Sequence, residues 1–154
     1  MATENQHKEN SFTPVTAALE LARYTFQITS NLKWFPDCSF REQRKEGDKV
    51  TQILVFREDS LTNIVREEAR QIYHLAFTAN EINLTRQPWR KEERLSRQRE
   101  AIALCGDLLA DIQICRKHFH LTAKRIKYWG GLVTGTRAAL ERWHESDKRR
   151  YKDV

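Results

Sequence analysis

Near the C-terminal end, Ile126, Trp129, Val133, Thr136, Leu140 and Trp143 follow one another at spacings of 3, 4, 3, 4 and 3. A strand alternates its faces at every residue, so odd offsets scatter such a series over both sides, whereas an α-helix gathers it into one stripe. The series therefore commits this segment to a helix that buries one face. The same helix carries Gly130, Gly131 and Gly135, and each interior glycine costs a helix about 1 kcal/mol relative to alanine. Gly131, Gly135 and Ala138 lie opposite the apolar stripe, where small residues at i and i+4 allow a second backbone to come close. The expectation is that these three form an interface between copies. The alternative is that Gly130-Gly131 simply interrupt the helix.

Three more stretches have helical periodicity. In the first, Thr13 is placed to cap, Pro14 sits at the first helical position, and Leu19, Ala22, Phe26 and Thr29 recur down one side until Pro36 ends the helix. From Phe40 to Leu84, Val50, Ile53, Leu54, Leu61, Ile64, Val65, Ile72, Leu75, Ala76 and Ala79 repeat at three and four. This long stretch is read as helical, with a break where Asp59 or Ser60 could cap a new helix. The β-branched run "KVTQILVF" leaves a strand there as an alternative. After Pro88, Leu95, Ile102, Cys105, Leu109, Ile112 and Phe119 define a third stripe, and Thr122 caps the fourth helix. Three prolines and five glycines in 154 residues are few for a turn-rich sheet protein. The expected fold is thus all-α, an antiparallel four-helix bundle over residues 13–150, with residues 1–12 as a flexible polar tail.

No apolar run approaches the roughly 20 residues that span a bilayer, and "MATENQHKENSF" lacks the apolar core of a signal peptide. Cys38, Cys105 and Cys115 are odd in number and scattered. Both observations predict a cytoplasmic protein with unpaired thiols and no membrane partner.

The formal net charge of +6 is localised: residues 86–127 hold 11 basic and 5 acidic groups. Arg86, Arg90, Arg94 and Arg97 share one face of the third helix. Arg116, Lys117, Lys124, Arg125 and Lys127 crowd the junction of the third and fourth, with no acid between residues 112 and 140. Regularly spaced cations suit a phosphate backbone, so these nine residues are the expected nucleic-acid-binding surface, with a merely solvated helix face as the alternative. Trp89, Phe119, Tyr128 and Trp129 are close enough in sequence to supply a stacking ring, although burial is the commoner fate of an aromatic.

Other chemistry is sparse. Arg137 and His144, with six residues between them, lie on one side of the last helix, a spacing that resembles the Arg-x4-6-His motif of the HEPN ribonucleases, four-helix proteins in which Arg and His from two subunits converge on a phosphate. Ala138 stands where that family usually has a polar residue. Cys115, His118 and His120 do not follow a zinc spacing, and no phosphate loop, nucleophile elbow or His-Glu-x-x-His occurs. No cofactor, no metal and no catalytic residue is expected, with Arg137 and His144 as the alternative pair.

The order of features resembles a further family. A first helix ending in Phe35-Pro36, then Arg41, a second helix with Ala76, Ala79 and Asn80 near its end, an arginine- and leucine-rich third helix, and a last helix finishing in Leu140, Trp143 and Ser146 are similar to the four-helix-bundle accessory variability determinants of diversity-generating retroelements. Relatives encoded in ribosomal RNA intervening sequences share the pattern. The resemblance spans roughly residues 14–147, with two departures: the second helical region is longer, and the glycines that the family has just before the final tryptophan appear earlier, at Gly131 and Gly135, with "ALERW" in their place. It implies a homo-pentameric barrel without an active site that binds template RNA or DNA, associates with a reverse transcriptase and supports mutagenic cDNA synthesis. A bundle that binds a protein partner without any nucleic acid is the remaining alternative.

Overall fold

A computed structural model describes residues 12–154. The chain forms four helices and one hairpin: α1 (Thr13–Thr29), β1 (Ser39–Glu46), β2 (Lys49–Phe56), α2 (Leu61–Glu81), α3 (Lys91–Phe119) and α4 (Ala123–Arg150). Short 3-10 turns at Pro36–Cys38 and Pro88–Arg90 precede the hairpin and α3. The expected tail at residues 1–12 lies outside the described residues apart from Phe12, which packs edge-on against Trp143 at 5.0 Å.

Contacts between remote residues fix the helix directions. Thr25 meets Trp129, and Ala17 meets Thr136, so α1 and α4 run antiparallel. Arg94 reaches Asp147, which sets α3 against α4, and Arg97 reaches Thr78, which sets α3 against α2. The four helices enclose one core. Trp129 is its largest fully buried side chain, and its indole N–H donates to Thr25 Oγ1 at 2.9 Å. Phe35 packs edge-on against both Phe119 and Trp129. The predicted α4 stripe is buried throughout, and the helix runs unbroken through all three glycines. Gly130-Gly131 therefore do not interrupt it.

Three expectations about the elements need correction. Thr13 does not cap the first helix but is its first residue, with Phe12 at the N-cap and no side-chain cap bond. The first helix ends at Thr29 rather than at Pro36. Thr25, Thr29 and Ser30 donate their hydroxyls to carbonyls four residues back, and the Asn31 side chain accepts from the amides of Lys33 and Trp34, so the chain turns early. The stretch from Phe40 to Leu84 is not all helical either. Its first part is an antiparallel hairpin in which Phe40 pairs with Val55 and Glu46 with Lys49. The two-residue loop Gly47-Asp48 opens with a glycine at φ 62°, the positive angle that a tight hairpin turn requires. β-Branched Val50, Thr51, Ile53 and Val55 then favour the extended chain over the helix. α2 begins where Ser60 accepts from the Asn63 amide, as the expected cap, with Asp37 also accepting from the Leu61 amide and the Thr62 hydroxyl. Among the described residues no helix is long and apolar enough to cross a membrane.

Candidate nucleic-acid interface

The nine predicted phosphate-binding residues separate into two groups at opposite ends of α3, whose 29 residues span about 40 Å.

At the N-terminal end most of the cations are already neutralised. Arg90 and Arg97 both bond Glu93, and the Arg90 hydrogen bond above all holds the Glu93 carboxyl down to about 2. Arg94 is a correction to the expected surface. Its side chain is buried, donating to both Asp147 oxygens and to the Ile82 carbonyl, so it is an internal strut. Arg86 is exposed, and so is Trp89 at 75%, but both stand at this end of the molecule.

The other end is different. Residue His120, at φ 56°, closes α3 in the left-handed conformation, and Thr122 opens α4 two residues later by accepting from the Arg125 amide. This tight corner brings Arg116 and Lys117 on the last turn of α3 next to Lys124, Arg125 and Lys127 on the first turns of α4. Arg116, Lys117, Lys124 and Lys127 are exposed and Arg125 is half-buried. None of the five has an ion pair among the described residues.

The two helix ends are not electrostatically equivalent. Cations at the C-terminus of α3 complement its dipole, just as Glu92 and Glu93 complement its N-terminus. Cations at the start of α4 oppose the dipole, and its first turn holds no acid. The like charges of Lys124, Arg125 and Lys127 thus add to the positive end of a helix, a placement that costs the isolated chain stability and that a bound anion would relieve.

Aromatic rings border this corner. The Arg125 guanidinium stacks on Trp34 at 3.4 Å, and Tyr128, 58% exposed, packs edge-on against Tyr24 at 4.8 Å. Of the aromatics singled out in the sequence, only Tyr128 is available here, since Trp129 is buried and Phe119 is packed on Phe35. Trp34 and Tyr24 went unrecognised. The signal for Trp34 lies in "NLKWFP", a turn that follows α1 and returns an indole to α4, whereas Tyr24 stands within α1.

The alternative pair does not form a joint site within one chain. Arg137 lies 3.6 Å from Glu141, and His144 Nδ1 is 2.9 Å from Gln98 Oε1. Burial, with Arg99 and Lys148 adding to it, lowers the His144 pKa and so favours the neutral ring. It ends a polar chain in which Gln98 donates to Asp147 and Asp147 accepts from Arg94. Cys115 is buried while His118 and His120 are exposed, and no metal-holding group of side chains occurs among the described residues.

Along α4, Gly131 and Gly135 are exposed, and a Cβ added at either would meet nothing within 4 Å; Ala138 is half-buried. The strip begins one turn beyond the basic corner. Comparison of the chain with protein-family models, with curated proteins and with solved structures yields no match.

Proposed function

We propose that this protein is a non-enzymatic nucleic-acid-binding bundle that holds a phosphate backbone at the α3–α4 corner. The observation that carries the reading is the placement of Lys124, Arg125 and Lys127 on the positive end of α4, beside Arg116 and Lys117, with no carboxylate partner among the described residues. A structural role would put acids there. Arg116, Lys117, Lys124, Arg125 and Lys127 contact phosphates, and Tyr128 is placed to stack on a base.

In this reading the resemblance to the accessory variability determinants supplies the context. The chain works in the cytoplasm, assembles as a homo-oligomer, a pentamer in that family, through the Gly131, Gly135 and Ala138 strip, and presents template RNA or DNA to a reverse transcriptase. A reverse-transcriptase gene next to a pair of near-identical repeats would support that context.

The direct test is binding of a labelled RNA or DNA by fluorescence anisotropy at several salt concentrations. Lys117→Ala with Lys124→Ala and Lys127→Ala should weaken binding at least about tenfold and flatten the salt dependence by up to about three counterions. Unchanged affinity in a folded triple variant would refute the assignment.

A further inference from the structure

The hairpin stands apart from the bundle. Among the described residues no helix makes extensive contact with it, and both of its strands have an open edge. A two-stranded ribbon of this kind gains little from its own packing, and its edges invite association.

Its two faces differ in charge. Gln43 pairs with Gln52 and Lys45 with Val50, which places Arg41, Gln43, Lys45, Val50 and Gln52 on one face. Arg41 Nη1 donates to Gln52 Oε1 across the strands at 3.4 Å, consistent with that register. All five are exposed, and this face holds no acid. Glu42 and Glu46 are on the opposite face, balanced there by Arg44 and Lys49, with Ile53 and Val55 half-buried and Phe40 under the Arg57 guanidinium.

We propose that the ribbon enters the major groove of duplex DNA with the Arg41, Gln43, Lys45 and Gln52 face against the base edges. The proposal rests on the nucleic-acid reading above and adds sequence preference to it. The major groove, about 12 Å wide, admits a two-stranded ribbon. Arg41, Gln43 and Lys45 follow at intervals of about 7 Å, close to two base-pair steps. Arginine and lysine match guanine O6 and N7, glutamine matches adenine N6 and N7, and the exposed Val50 suits a thymine methyl. The deep, narrow major groove of A-form RNA excludes such a ribbon.

The root of the ribbon supports this placement. Arg57 and Arg66 line one concavity there together with Thr29 and Ser30, and no acid lines it. Arg66 is fixed by donating to Thr29 Oγ1 at 2.7 Å and by stacking on Phe26 at 4.7 Å. Arg66, fixed at the root, would grip a phosphate beside the groove, while Arg57 is drawn over Phe40 on the far face.

The test is selection of bound sequences from a randomised duplex DNA library by the full chain. Anisotropy then follows on the selected duplex, a scrambled duplex and an RNA duplex of the selected sequence. The wild type should enrich a motif and bind it at least about tenfold more tightly than the scrambled DNA or the RNA duplex. Arg41→Ala with Gln43→Ala and Gln52→Ala, all at exposed positions, should bring selected and scrambled DNA within about twofold of each other while retaining salt-dependent binding to both. Sequence-blind binding by the wild type, equal binding of the RNA duplex, or undiminished discrimination by the ribbon variant would overturn the ribbon proposal and leave the corner standing. Failure to bind any nucleic acid would overturn both.

Discussion

Arg94 and Asp147, 53 residues apart in sequence, are joined by two hydrogen bonds of 2.7 and 3.1 Å inside the bundle. Gln98 and the Ile82 carbonyl complete the network, and the Arg94 guanidinium lies 5.3 Å from the Trp143 ring centroid. Both charges are withdrawn from water, so removing one leaves the other uncompensated. Asp147→Ala should therefore cost about 3–5 kcal/mol in urea unfolding, while Arg94→Met combined with Asp147→Leu should recover most of that loss. An Asp147→Ala variant as stable as wild type would show that the pair does not close this end of the bundle.

A second polar group is held against its preference. Glu68 has one carboxyl oxygen buried without a hydrogen-bond partner among the described residues. Burial first, then the hydrogen bond and charge of Asp111 and the charge of Asp107, raise its pKa to about 8. The folded state thus binds a proton that the unfolded state releases near pH 4.5. Its contribution is intact below that pH and is lost progressively up to about 8. Glu68→Gln should flatten this decline and raise stability at pH 8, read from denaturation midpoints at several pH values. An unchanged pH slope would contradict the shared proton.

If the proposed assembly uses the glycine strip, helix propensity and assembly respond oppositely to larger side chains there. Because a Cβ at Gly131 or Gly135 enters open space, alanine at either should stabilise the isolated chain by about 1 kcal/mol. Leucine at both should keep the bundle folded but abolish self-association in light scattering. Persistence of the same assembly would exclude this strip as the interface.

Cys105 and Cys115 are buried, and burial pushes both thiols up to about 12. Ellman's reagent should label neither in the folded protein and both after unfolding, as mapped by mass spectrometry. Rapid labelling of either at neutral pH would mean that the core opens.

The last helix was legible because its 3-4 repeat is long and unambiguous, and both Ser60 and Thr122 cap where the sequence placed them. The hairpin was obscured because Val50, Ile53 and Leu54 also match a helical period. Gly47 and the β-branched residues after it carried the better signal. The basic surface was legible as composition but not as geometry. Helical periodicity puts Arg90, Arg94 and Arg97 on one face, yet nothing local reveals that Asp147 takes the middle one into the core. Trp34 reaches Arg125 only because α1 ends early, a contact across most of the chain.

Phosphate binding at the α3–α4 corner, as proposed, is open to direct measurement. The most direct measurement is the affinity of the wild type and of the Lys117→Ala, Lys124→Ala, Lys127→Ala variant for one labelled RNA and one labelled DNA across a salt series. A phosphate-binding corner requires binding that weakens steeply with salt in the wild type, and at least about tenfold weaker, less salt-dependent binding in the folded variant. Equal affinities and equal salt slopes for the two proteins would contradict it.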